Sequence, residues 1–205
     1  MNTKSEKFTR RGSKHAQPEL RAQQIIMAAI ECFGENGYDN TTIDAIGKLA
    51  GLSKGTVYRF FSSKDDLLLS VIDHLDHLFE QRFKEQSQGK SSVDKLEIFC
   101  QISVTDIIEE QELLSLWFQV LNLSFIREKL RVISQKDIAT VAAIVREGIE
   151  KGELKAETID YIPTTLVALL HGHYLLSHLG KETPADSSEK FNHSWQLIKE
   201  QIIKR

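Results

Sequence analysis

Between Ile25 and Leu68 three runs of apolar residues recur at helical spacing, and the two shorter runs are separated by a few residues around Gly51. Ile25, Ala28, Ala29, Cys32 and Phe33 fall at i, i+3, i+4, i+7 and i+8. That stripe predicts one amphipathic helix over 18–35. Pro18 suits its first turn, where a missing N–H costs nothing, and Gly37 suits its end. Two short helices are expected at 42–50 and 53–60, the first capped by Thr41 or Thr42 and the second by Ser53. A long helix follows from Ser63 to about Gln86, with Ser63 and Asp66 in the spacing of a capping box. One longer and two short helices in this order make a helix-turn-helix, whose last helix can lie in a major groove.

The remaining chain is helical in pattern as well. Helices are expected near 92–108, 111–121, 124–151, 157–179 and 187–204, separated by the Ser87–Ser92 loop, the polar Glu109–Gln111, Gly152 and the 180–186 stretch. No segment alternates cleanly enough for a strand, and eleven glycines and three prolines are too few for an all-β chain with its many turns. The expected fold class is therefore all-α, with about nine helices. A three-helix head is joined by the long helix to a C-terminal bundle. Residues 1–17 read as a flexible basic tail, 18–66 as the DNA-binding domain and 67–205 as the bundle. Pro163 falls inside the helix expected at 157–179, so it either kinks that helix or begins it.

Composition narrows the classes further. The longest uninterrupted apolar run, Ile25–Ile30, is six residues, where a membrane span needs about 20, and Leu166–Leu170 is five. Met1–Phe8 holds no apolar run of the secretory kind, so a cytoplasmic protein is expected, with Cys32 and Cys100 reduced. The net charge of −3 conceals an asymmetry. Residues 1–64 carry ten basic and six acidic side chains, whereas 65–205 carry sixteen and twenty-three. A basic head on an acidic body suits a head that meets a polyanion.

Within the head, Thr42 stands where a helix N-terminus can offer a hydroxyl and N–H groups to a phosphate. Ser53, Lys54, Gly55 and Thr56 open the second short helix with short or flexible side chains. Gly55 there lets backbone approach DNA closely, and Lys54 can reach a guanine edge. Tyr58 offers a rigid hydroxyl, and Arg59 and Lys64 bring positive charge to the rim. Lys48 reads as a solvated charge, while Phe33, Tyr38 and Phe61 read as core. Lys4, Lys7, Arg10, Arg11 and Lys14 form either an arm that tracks a minor groove or an ordinary tail.

Over these residues the chain resembles the tetracycline-repressor (TetR/AcrR) family of bacterial transcriptional regulators. The resemblance rests on Ile25, Ala28, Ala29 and Phe33, then Gly37-Tyr38, Thr41-Thr42 and Ile46. It continues through Ala50-Gly51, Ser53-Lys54-Gly55, Tyr58 and Phe61, and closes on Ser63-Lys64 and Leu67-Leu68. It implies DNA contact from Thr42, Lys54, Thr56, Tyr58 and Lys64, with Phe60 next to the phosphates. Three positions depart from the family pattern. Cys32 replaces the usual Leu, and Gly47 replaces the usual Ala at up to ~1 kcal/mol of helix stability. Asp44 suits its helix dipole but repels phosphates.

The resemblance also implies a homodimer through the last two helices, about 157–179 and 187–204, and a bundle that encloses a hydrophobic small molecule. Gly172 matches a glycine that allows close helix packing near such an interface. Cys100, Trp117, Phe118, Leu121, His171 and Tyr174 are the candidate pocket residues. Trp117, Phe118, Leu121, Phe125 and Ile126 make one apolar cluster; His171, Tyr174 and His178 share a helix face, lining a pocket, bonding across the dimer or sitting at its rim. His74 and His77, beside Asp73 and Asp76, lack further convergent ligands, so no metal is expected and no cofactor either. No phosphate loop, nucleophile elbow or zinc-protease pattern supports an enzyme. The expected function is a ligand-responsive repressor that binds a palindromic operator. An architectural DNA-binding dimer without an effector has the same periodicity and stays open.

Overall fold

The computed structural model describes residues 17–108, 111–180 and 183–204. Among these residues the chain forms nine α-helices: α1 (Gln17–Asn40), α2 (Ile43–Leu49), α3 (Lys54–Tyr58), α4 (Lys64–Ser87), α5 (Ser92–Ile108), α6 (Gln111–Val120), α7 (Ser124–Glu150), α8 (Ile162–Gly180) and α9 (Pro184–Ile202). One 3-10 turn, Ala156–Asp160, precedes α8, and a single isolated bridge joins Leu154 to Ile203. No helix of the described residues is long and apolar enough to cross a membrane.

The helix starts follow from side chains that satisfy orphan N–H groups. Thr42 accepts from Ala45 N at 3.2 Å, Ser53 from Thr56 N at 3.2 Å and Ser63 from Asp66 N at 3.0 Å. The expected capping box at α4 is completed one residue earlier than its spacing suggests. The Asp66 carboxylate accepts from Ser62 N at 2.7 Å and Ser62 Oγ at 2.9 Å, so it fastens the turn that precedes the helix. α3 is shorter than the 53–60 expected, because Arg59 already caps it, donating its backbone N–H to the Thr56 carbonyl.

Gly47 has a packing reason. A Cβ there would stand 3.0 Å from the Leu52 carbonyl oxygen and 3.4 Å from a Val57 methyl carbon, so the α2–α3 turn closes against bare backbone. Pro163 begins a helix and kinks nothing: it lies buried in the first turn of α8. The last helix starts at Pro184, three residues before the 187 expected. Thr183 caps it by accepting from Asp186 N at 3.2 Å.

Two apolar cores organise the fold. The first holds Ile25, Ala29, Phe33, Ile46, Val57, Leu67, Leu68 and Val71 of the first four helices, and also Leu116, Val120 and Ile126 from α6 and α7. The second gathers Leu96, Phe99, Cys100, Val145, Leu166, Phe191 and Trp195 from α5, α7, α8 and α9. α4 belongs to both: Leu67 to Ile72 lie in the first, and Phe79 and Phe83 pack on the second, edge-on to Phe99. α4 is thus the helix that contributes side chains to both cores.

Candidate nucleic-acid interface

α2 and α3 sit on the first core through Ile43, Ile46 and Val57, and their opposite faces are exposed. Phe33, Tyr38 and Phe61 are buried, as their core assignment requires. Lys54, Gly55, Tyr58 and Arg59 lie exposed along the outer face of α3, with Ser53 at its N-terminus. The Lys54 ammonium stands 5.9 Å from the centre of the Tyr58 ring, so the cation and the phenol share one patch. Thr42 is exposed at the start of α2. The hydroxyls of Ser53 and Thr56 bond each other at 2.9 Å while Ser53 caps the helix. Both hydroxyls thus sit at the N-terminal end of α3. At Gly55 an added Cβ would meet nothing nearer than Ser53 Oγ at 4.0 Å, so the backbone is open to approach.

Three residues behave differently from this set. Phe60 is half-buried against the first core, which leaves only part of its ring toward the surface. Lys48 pairs with Asp44 at 2.8 Å on the exposed face of α2, and this pairing offsets the carboxylate that would repel phosphates. Lys64 points inward to the end of α1. Its ammonium donates to the carbonyls of Tyr38 at 2.7 Å, Thr41 at 3.1 Å and Asp39 at 3.4 Å, and lies 4.2 Å from the centre of the Tyr38 ring. The Tyr38 hydroxyl in turn donates to the Asp65 carboxylate. Burial first, and then that bond, holds the phenol well above its ordinary pKa, so it remains a donor. The tail residues Lys4, Lys7, Arg10, Arg11 and Lys14 lie outside the described residues.

The candidate pocket residues fall in several places. Cys100 is fully buried within the second core, and desolvation pushes its thiol up to about 12. Trp117 lines a cavity of about 20 Å³ with Leu68, Val71, Ile72, Leu75, Leu116 and Val120, room for roughly one water. Phe118 stacks on His178 of α8 at 4.4 Å, and the Tyr174 hydroxyl donates to the Ser103 carbonyl at 2.9 Å. His171 lies beside Tyr174, ring centres 6.2 Å apart, and Leu121 is exposed just past α6. Of the five-residue apolar cluster, Trp117, Phe125 and Ile126 join the first core, whereas Phe118 faces α8. His173 carries no distinguishing signal in the sequence. It bonds Ser187 at 2.8 Å and meets Phe191 edge-on, tying α8 to α9.

Carboxylates beside the paired histidines of α4 have lysine partners: Asp73 bonds Lys129, and Asp76 bonds Lys136. Among the described residues no group of three or more His, Cys, Asp or Glu side chains is placed to hold a metal ion.

Residues 25–71, which carry this surface, match the family of bacterial regulatory proteins of the tetR type. The chain is 30% identical over 143 residues to the fatty acid metabolism regulator protein of Bacillus subtilis (strain 168), covering 68% of this chain and 73% of that protein. It is 24% identical over 159 residues to the HTH-type transcriptional regulator QacR of Staphylococcus aureus, covering 76% of this chain and 85% of that one. In fold it resembles a TetR transcriptional regulator from Chloroflexus aurantiacus J-10-FL, with a TM-score of 0.75, 23% identity and coverage of 91% and 98%. With its exposed α3, its shared cores and these relatives, the chain belongs to the TetR family of bacterial transcriptional regulators, which bind DNA through a helix-turn-helix.

Proposed function

We propose that the protein is a ligand-responsive repressor that binds a palindromic operator as a homodimer and is released by a hydrophobic small molecule. The observation that carries the reading is the outer face of α3, where Lys54, Tyr58 and Arg59 stand exposed beside the capped helix start. Thr42, Ser53, Gly55 and Thr56 complete the surface, and two copies would read half-sites about one helical turn apart, roughly 34–36 Å.

A dimer through α8 and α9 is supported by what those helices leave uncovered. Leu175, Leu176 and Leu179 on α8 and Leu197 on α9 are exposed, the last three by 64%, 67% and 69%. Gly172 has no neighbouring heavy atom within 4 Å of an added Cβ, as a residue reserved for a second copy requires. Exposed apolar side chains on adjoining helices suit a partner that covers them.

The effector is assigned to the region where α6 meets α4 and α8, near Trp117, Phe118, His171 and Tyr174. Wedging there would shift α4 against both cores and change the spacing of the two α3 helices. A switch from 1:99 to 99:1 needs about 5.5 kcal/mol of differential affinity for the DNA-incompetent shape. Kinship with a relative named for fatty acid metabolism supports an acyl compound as the first class to try.

Selection of binding sites from random duplex DNA at two salt concentrations tests the reading. An enriched palindrome is expected, with a log–log salt slope near −7 if each subunit neutralises about four phosphates. Salt-dependent binding with no enriched sequence would favour an architectural DNA-binding dimer. No binding in either salt would overturn the assignment of α3 as a reading helix.

A further inference from the structure

Among the described residues two buried side-chain polar atoms have no hydrogen-bond partner, Ser92 Oγ and Trp195 Nε1. Their settings differ. Ser92 is wedged at the end of α7, where a Cβ on Gly148 would stand 2.9 Å from the Ser92 Cβ and 2.6 Å from a Leu154 methyl carbon, so nothing more fits beside it. Trp195 is 1% exposed on α9, in the second core with Phe99, Cys100, Leu170 and Phe191. An indole N–H can only donate. Buried without an acceptor, it carries the full desolvation of that group, and an all-carbon side chain would fill the core without that cost.

The polar groups around this core are committed elsewhere. The Tyr174 hydroxyl of α8 donates to the Ser103 carbonyl of α5, and His173 and Ser187 bond each other. At the edge of the core Lys199 pairs with Glu97 at 2.5 Å and Lys95 with Glu147 at 2.7 Å. Among the described residues no buried side chain is basic. Desolvation of Cys100 in the same core raises its thiol to about 12, which shows that the surroundings disfavour an anion. An ionised carboxylate brought in here would be buried without a counter-charge, whereas a neutral carbonyl oxygen would take the N–H at little cost.

Tyr174 borders the region assigned to the effector and also packs on this core, as do Phe79 and Phe83 of α4. The two regions are therefore continuous. Resting on the proposed function, we propose that the Trp195 indole N–H is the polar anchor of the effector site. It takes a neutral carbonyl oxygen, so the effector is an apolar ester, lactone or ketone and not a free carboxylate.

The test uses the full chain carrying nitrogen-15 in its two tryptophans, so that Trp117 and Trp195 each give one indole N–H resonance, assigned with Trp117→Phe. The probes are methyl octanoate, γ-octalactone and methyl heptyl ketone, with sodium octanoate as the anionic counterpart. In the free protein the Trp195 proton is expected upfield, where an unbonded indole resonates. At least one neutral probe is expected to move it downfield, and octanoate to leave it in place. A Trp195 proton already downfield in the free protein, or unmoved by all three neutral probes, would overturn the proposal. An equal shift with octanoate would overturn the choice of a neutral oxygen.

Trp195→Phe removes the donor and keeps an aromatic ring. With a duplex selected by the wild-type protein from random DNA, the concentration of the active probe that releases it is expected to rise roughly tenfold or more in this variant. Release at the wild-type concentration would remove Trp195 from the site. Release of the duplex from the wild type with the Trp195 resonance unmoved would keep the ligand-responsive reading and overturn the anchor. Failure of the wild type to bind any duplex would sink the functional reading, while the indole resonance would still decide whether Trp195 takes a carbonyl.

Discussion

Gly37, at the break in α1, lies so close to Gln119 of α6 that a Cβ on it would stand 2.5 Å from Gln119 Oε1. The backbone at Gly37 has φ 75° and ψ 166°, a region that side-chain-bearing residues rarely adopt. The break turns the chain toward Thr41, whose hydroxyl bonds the Gly37 carbonyl at 2.7 Å and the Cys32 carbonyl at 2.8 Å. The end of the first helix is thereby seated against the helix that also touches α8 through Phe118 and His178.

Gly37→Ala should therefore destabilise the fold by roughly 1–3 kcal/mol through backbone strain, with the Gln119 side chain displaced. Urea unfolding followed by circular dichroism measures it. A loss below about 0.5 kcal/mol would show that the break relaxes readily. Gln119→Ala in the same background should recover only the small steric part, since the strained φ remains.

The surface of α3 gives a separable pair of effects. Tyr58 and Lys54 are exposed and pack on nothing in the core, so Tyr58→Phe and Lys54→Ala should each change stability by less than about 0.5 kcal/mol. Both should weaken binding to a selected duplex, Lys54→Ala by about 1–3 kcal/mol if its ammonium reads a base edge. Thermal melts and fluorescence anisotropy measure the two properties independently. Full affinity in both variants would remove α3 from the interface.

Much of this architecture is legible in the sequence because helix starts carry local chemistry. Thr42, Ser53 and Ser63 each cap through a bond only three residues long, and sequence spacing reveals such bonds. The start of α9 carries an equally local signal, Thr183-Pro184 with Asp186, but it lies within a polar stretch that reads as a loop. Lys64 shows the opposite case. Its charge is visible, yet its partners are backbone carbonyls 23 to 26 residues away, and carbonyls have no signature in sequence. Cys100 and Trp117 likewise share an apolar pattern, but only packing assigns one to the second core and the other to the α4–α6 seam.

The exposed leucines of α8 and α9 predict the oligomer. Leu176→Glu combined with Leu197→Glu should yield a monomer in sedimentation, because burying two charges per protomer without partners costs more than the apolar contact contributes. Helicity should be retained, since neither side chain belongs to a core of the protomer. Binding to a palindromic duplex should fall sharply, and binding to a half-site should change little. A variant that sediments as the wild type would move the interface away from these residues.

Asp137 on α7 supplies a pH-dependent test of packing around α4. Burial pushes its carboxyl up from an ordinary 3.8 to about 6, against the attraction of Lys136 and with further upward pressure from Asp76 and Glu80. A carboxyl raised in the folded state favours its protonated form there, so ionising it weakens the fold. That penalty is absent below about 3.8, grows as pH rises, and is complete above about 6. Asp137→Asn keeps the shape and removes the charge. It should stabilise the protein by up to about 3 kcal/mol at neutral pH, and the gain should shrink to less than half of that at pH ~4.5. Comparing denaturation midpoints of variant and wild type at each pH cancels the other titrating groups. A gain that did not depend on pH would place the effect in hydrogen bonding instead, and an Asp137 carboxylate already solvated at the α4–α7 seam would give no gain at all.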